Sequence, residues 1–290
     1  MTKIVVAVIV GIIVVLLGGV FFLNKFVADS LTSPSPSVTA TPSVTASPTA
    51  SPVPTNVSII VESPKANDQV SNPITVTGKA RVFEQTFNYK LKNASNGQIL
   101  VEGAAMSAGQ ELSEFNPFSF KIALPVNSPE NLLLELIEYS AADGSERYKV
   151  SIPLKLTSKE TMKVKSYFSK NVTNDCSAVS AVERTVLKTQ EPAYISLTEL
   201  LKGPTTSEKN AGFSTNIPVS TLPMNMRINS VRIVNGVATA DFSGELESGV
   251  AGSCRVMAIR SQIENTLKQF STVKSVVISI NGRTDDILQP

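Results

Sequence analysis

The sequence predicts an all-β sandwich followed by a compact α/β domain, carried behind a single transmembrane helix. Three observations predict it. An unbroken apolar run occupies Ile4 to Leu23, period-two alternation fills residues 57–157, and helical periodicity returns beyond Ser158. At 290 residues the chain has room for two domains of ordinary size.

The apolar run is flanked by Lys3 and Lys25. At about 1.5 Å of rise per residue, about 20 such residues span a bilayer as a helix. A cleaved signal peptide is the rival reading, but its apolar core is usually shorter, and Phe26-Val27-Ala28 is a poor cleavage site. An uncleaved anchor over residues 4–26 is therefore expected. Residues 27–56 are almost wholly Ser, Thr, Pro, Ala and Val, with prolines at 34, 36, 42, 48, 52 and 54. Proline blocks helix and central strand, and so little apolar surface cannot offset the entropy of ordering. This stretch is expected to be an extended linker, lifting residues 57–290 off the outer face of a membrane.

Between residues 57 and 157 the sequence reads as seven short strands. They lie at 57–61, 74–77, 87–91, 98–102, 118–124, 132–139 and 148–154. Asn96-Gly97 and Asp143-Gly144 fall between successive strands, where turns with positive φ favour glycine. Seven strands in about 100 residues describe an immunoglobulin-like sandwich. With no Cys in this part, the intersheet disulfide of antibody domains is absent.

Residues 158–290 change character. Met162 to Phe168 and Val182 to Lys188 are extended, and Pro192 opens a helix that stops at Gly203-Pro204. Thr205 with Glu208 has the spacing of a capping box. A hairpin from Ile228 to Phe242 turns on Asn235-Gly236, placing Val231, Ile233, Ala238, Ala240 and Phe242 on one face. A long helix begins after Gly252, with Val256, Ile259, Ile263 and Leu267 on its apolar stripe, and it delivers a strand through Val276, Ile278 and Ile280. The expected domain is a mixed sheet with two main helices.

Two resemblances cover these halves. Glu62-Ser-Pro-Lys-Ala-Asn-Asp-Gln-Val70 followed by Ser71-Asn-Pro-Ile-Thr-Val-Thr-Gly-Lys-Ala80, with Asn116-Pro-Phe-Ser-Phe120, resembles the immunoglobulin-like domain of bacterial spore-germination proteins. Asp175-Cys-Ser-Ala-Val179, Glu199-Leu-Leu-Lys-Gly-Pro-Thr205, Ala240-Asp-Phe-Ser243, Gly252-Ser-Cys-Arg-Val256 and Val276-Val-Ile-Ser-Ile-Asn-Gly282 are similar to the sporulation and spore-germination domain known as GerMN. That second resemblance implies an extracytoplasmic, non-enzymatic domain, with a fold similar to the ring-building motifs of secretion-type assemblies.

Composition narrows the chemistry. A net charge of +2 gives no basic field for nucleic acid. The chain has no histidine, hence neither the usual general base near neutral pH nor the commonest transition-metal ligand. No catalytic residue, cofactor or metal site is expected. Cys176 and Cys254 are the only cysteines, and outside the membrane a disulfide between them is expected; a reactive Cys254 thiol at a helix start is the alternative. Asp285 and Asp286 read as a solvated tail, since adjacent strand residues point to opposite sides. Arg255, a cation near a helix start, is expected to pair with Glu183 or Asp241, with an anionic partner as the other reading. Arg255, Arg184, Asp241 and Arg283 are the candidate partner-binding residues. The expected function is an envelope scaffold that binds other envelope proteins or its own copies. Peptidoglycan binding is the alternative, weakened by an aromatic content of 6% and no tryptophan.

Overall fold

Alternation of apolar and polar side chains builds the first domain. In the computed structural model, which describes residues 57–109, 113–170, 175–218 and 226–289, its strands are β1 Ile59–Ser63, β2 Gln69–Val70, β3 Ile74–Ala80, β4 Thr86–Asn93, β5 Ile99–Met106, β6 Asn116–Ile122, β7 Asn131–Tyr139 and β8 Glu146–Leu156. They form two sheets, ordered β1-β3-β6 and β2-β8-β7-β4-β5. The expected seven strands are all present. The eighth, β2, pairs parallel with β8 over two residues, too few for a periodic signal. Along β3, Ile74, Val76 and Ala80 are buried while Thr75 and Lys79 are exposed. Phe87 and Phe118 meet between the sheets with ring centroids 4.8 Å apart, and Leu91, Leu132, Leu134 and Leu154 complete the core.

The second domain contains β9 Thr161–Lys170, β10 Val179–Leu187, helix α1 Pro192–Leu201, a short helix α2 Thr206–Asn210, β11 Phe213–Ser214, β12 Ile228–Val234, β13 Val237–Phe242, helix α3 Ser253–Lys268 and β14 Ser275–Ile280. The expected single mixed sheet is instead two three-stranded sheets, β10-β9-β11 and β12-β13-β14. The β12–β13 hairpin has the anticipated register, Val231 opposite Ala240 and Ile233 opposite Ala238. β14 joins β13 in parallel, a connection that needs a crossover, and α3 supplies it. α1 packs against both β9 and β12, and α3 against β9 and β14, so helices rather than a continuous ladder join the sheets.

The α3 stripe is broader than its apolar pattern. Val256, Ile259, Ile263 and Leu267 are buried as expected, and so are Gln262 and Thr266. Gln262 accepts from the Thr215 hydroxyl at 2.9 Å and donates to Ser169 at 3.2 Å; Thr266 accepts the Tyr167 amide at 3.0 Å. These bonds satisfy groups that would be costly to bury unpaired.

The two domains meet through a defined polar joint within one compact unit. Asn72, 3% exposed, donates from Nδ2 to the Leu187 carbonyl at 3.1 Å and accepts the Leu124 amide at 2.9 Å. Leu187 itself joins the sandwich core. Lys121 pairs with Glu191, and the Tyr194 hydroxyl donates to the Lys121 carbonyl at 3.4 Å. Asn72→Ala strands a buried carbonyl and a buried amide, so it is expected to cost about 2 kcal/mol. Chemical denaturation reads that loss, and limited proteolysis should show faster cutting near Thr157–Glu160.

Among the described residues no helix is long and apolar enough to cross a membrane. The expected anchor (residues 4–26) and linker (27–56) lie outside the described residues.

A candidate binding cleft between the sandwich and the α/β domain

The open side of the sandwich carries aromatic rings that the core does not fully use. Tyr89 on β4 and Phe120 on β6 both point inward, and their rings stack at 4.9 Å with 29° between planes. Tyr89 lies opposite Gly103 of β5. A Cβ at Gly103 would sit 2.7 Å from the Tyr89 oxygen, so a glycine is what lets the ring lie flat against the strand.

The second domain roofs this side. α1 presents Tyr194, Thr198 and Leu201, while Met226, Arg227 and Ile228 enter from the start of β12. Together they enclose a cleft of about 600 Å³. Residues Leu100 to Ala104 of β5 form one wall. β5 ends its sheet and pairs only with β4.

The cleft chemistry suits binding. Burial pushes the Tyr89 phenol above its usual value, against the lowering effect of Arg227. Burial raises Tyr194 strongly too, with the Tyr89 and Glu191 charges adding to it. Both therefore stay neutral hydrogen-bond donors at neutral pH. Lys121 is paired with Glu191 and Lys202 with Glu199. The Arg227 guanidinium has only the Met106 sulfur, 3.3 Å away, and no carboxylate within ion-pair distance among the described residues. Thioether sulfur is a weak acceptor for a five-donor cation.

The residues singled out from sequence lie elsewhere and are engaged within the second domain. Arg184 reaches from β10 to α2, donating from Nη2 to Glu208 Oε2 at 2.7 Å and standing 3.9 Å from Glu199, with its side chain 12% exposed. It acts as a structural clamp within the second domain. Burial tends to raise the Asp241 carboxyl, but hydrogen bonds from Ser279, the Gly282 amide and Asn229 outweigh it and hold it low. Asp241 thus ties the hairpin to the end of β14.

Arg255 does not form the expected ion pair. It donates to the carbonyls of Asn216 and Gly249, at 3.3 and 2.7 Å, while Glu183 pairs with Lys163. Carbonyls of a neighbouring loop offer a cation the compensation the helix start denies it. Arg283 pairs with Glu247 and Asp286. Asp285 and Asp286 are exposed, yet Ile287 and Leu288 just after them are buried, so the chain end is not wholly a solvated tail. Cys176 and Cys254 form a disulfide with Cα atoms 5.1 Å apart, fixing the loop before β10 to the start of α3.

The Arg184 cluster makes a pH prediction. Hydrogen bonding from Arg184, chiefly, lowers the Glu208 carboxyl below its usual 4.5. A depressed carboxyl stabilises the fold above its unfolded value and loses that contribution as pH falls through the folded one. Stability should therefore drop as pH falls below about 4.5, and less steeply in Arg184→Met. At pH 7 that variant should lose about 2 kcal/mol, because Glu208 and Glu199 lose their charged donor. Denaturation midpoints at pH 7 and pH 4 check both statements.

The architecture defines a two-domain chain, a β-sandwich joined to an α/β domain through a polar joint. Residues 58–145 match the immunoglobulin-like domain of bacterial spore germination, and residues 165–286 match the sporulation and spore germination domain. The chain is a GerMN-domain protein with an N-terminal immunoglobulin-like domain of the spore-germination type. Among solved structures, it is similar to the tandem GerMN domains of the sporulation protein GerM from Bacillus subtilis, at 23% identity and a TM-score of 0.31. That match covers 43% of this chain and 41% of the GerM chain, so it spans about two fifths of that relative. The first GerMN domain of the same protein matches at 26% identity over 42% of this chain and 85% of that one, with a TM-score of 0.31. A putative lipoprotein from Clostridium perfringens matches at 15% identity over 42% and 76%, with a TM-score of 0.28. Comparison with curated proteins found no match.

Proposed function

We propose that this is a binding protein of the bacterial cell envelope, held to the cytoplasmic membrane by residues 4–26, with both folded domains outside. It acts by holding a partner protein rather than by catalysis. The observation that carries this is the composite cleft: two domains, fixed by the Asn72 joint, flank an aromatic and apolar trough with neutral phenols and an arginine that has no carboxylate partner among the described residues. Small-molecule and cofactor sites are commonly clefts of this size, lined by apolar and aromatic side chains with a few polar groups. The GerMN-type domain supports an interaction role, and the sequence supports the anchor and linker.

A second mode, self-assembly, has its own observation. Val234, Val237 and Val277 are 62%, 37% and 36% exposed on the outer face of β12-β13-β14. Peptidoglycan binding is the competing reading. Co-sedimentation of the full chain in detergent with purified sacculi separates them. The proposal expects the protein to remain in the supernatant; saturable pelleting would move the function to the cell wall.

A further inference from the structure

We infer that the cleft takes an extended segment of a partner protein as an added strand on β5, with a carboxylate of that segment on Arg227. The inference rests on the binding role proposed above and specifies its chemistry.

β5 supplies the template. An edge strand presents a row of backbone N–H and C=O groups without partners, and adding a strand is a recurring way to use them. Among the described residues, Ile99 to Ala105 make no backbone hydrogen bond on the side away from β4. Edge strands are usually blunted by proline, lysine or a covering segment. β5 has neither residue type, and its residues Leu100 to Ala104 line the cleft. Five consecutive residues line the wall, about 17 Å of strand, enough for five residues of an added segment.

The cleft also reads side chains. The stacked Tyr89 and Phe120 rings lie beside the strand and suit an apolar residue. Charge complementarity fixes the other anchor. Lys121 and Lys202 are already neutralised, and Glu102 faces Lys90 across the β4–β5 register. The cation left over is Arg227, half-buried, with a thioether as its sole side-chain acceptor among the described residues, while Glu102 on the β5 wall likewise makes no ion pair among them. A guanidinium in that state favours a carboxylate, which it can grip with two parallel hydrogen bonds. The partner segment is therefore extended, apolar at alternate positions, and acidic at the one that meets Arg227.

The test uses the full chain in detergent micelles and a displayed library of random dodecapeptides, with empty micelles as the control. Enriched peptides are then synthesised and their affinities measured by fluorescence anisotropy. An acidic residue at a constant position among alternating apolar ones is expected. Replacing it by its amide should weaken binding at least tenfold, as should Arg227→Gln, while Arg227→Lys retains part of the affinity. Methylating alternate backbone nitrogens of the peptide should abolish binding in one register and spare it in the other.

No enrichment, enrichment without an acidic position, or equal affinity for the acid and amide peptides would overturn the inference, and the last comparison does not depend on how any variant folds. Displacement of the peptides by soluble peptidoglycan fragments at Arg227 would overturn it in favour of a wall ligand. If selection fails while sacculi leave the protein in solution and a partner protein is captured in cells, strand addition falls and the envelope binding role stands.

Discussion

Loss of the Cys176–Cys254 disulfide is expected to lower the stability of the second domain by about 4 kcal/mol. The bond closes a loop with a sequence separation of 78, spanning α1, α2 and the β12–β13 hairpin. On the chain-entropy model a cross-link of that span removes about 4 kcal/mol of freedom from the unfolded chain. It also holds the start of α3, where Arg255 sits, against the loop before β10. The variant Cys176→Ser/Cys254→Ser, and the native protein under reductant, should show the same drop in denaturation midpoint. Because the tie lies in the second domain, the sandwich transition should move less. An unchanged midpoint under full reduction would remove the disulfide from the account of stability.

Gly78→Ala is expected to disrupt the sandwich by about 3 kcal/mol, at the upper end of overpacking costs. Gly78 lies on β3 between β1 and β6 and has an ordinary extended backbone. The requirement is space: an added Cβ would lie 2.1 Å from the Ile60 carbonyl oxygen and 2.6 Å from Phe118 Cζ. The ring can turn aside, but the carbonyl belongs to the β1 backbone and moves only if the β1–β3 ladder opens. Gly144, at a turn with φ of +72° and nothing nearby, is a useful contrast. Gly144→Ala should cost less, through backbone strain alone. Thermal unfolding of the two variants side by side measures the difference.

The fold was legible wherever a local rule applied. Alternation found the seven longer strands, and proline at the start with glycine-proline at the end bounded α1. Thr205 and Glu208 make the capping box their spacing announced, each accepting the other's amide. The hairpin register came from Asn235-Gly236, whose positive φ values of 50° and 83° are those such a turn needs.

What the sequence hid was placement between distant segments. Whether β9 would join β13 depends on which edges the helices cover, and no local pattern reports that. The site was hidden for the same reason. Tyr89, Phe120, Tyr194 and Arg227 come from β4, β6, α1 and the segment just before β12, in two domains, and of them only Phe120 falls in a motif read from the sequence. Charge alone pointed instead to Arg184 and Asp241, which the fold uses to clamp itself. One signal was available: Gly103, directly after the strand pattern at 98–102, marks a close approach, and it lies against Tyr89 in the cleft.

Whether a partner protein is held in the cleft between the domains can be read by photo-crosslinking in living cells of the native host. A crosslinking residue is placed at Val101 in the cleft wall or at Val234 on the outer sheet face. Binding in the cleft gives a discrete adduct with a second protein from position 101, lost when Arg227→Gln is introduced and not formed from position 234. Adducts that arise only from position 234, or that link position 101 to wall glycan alone, would refute it.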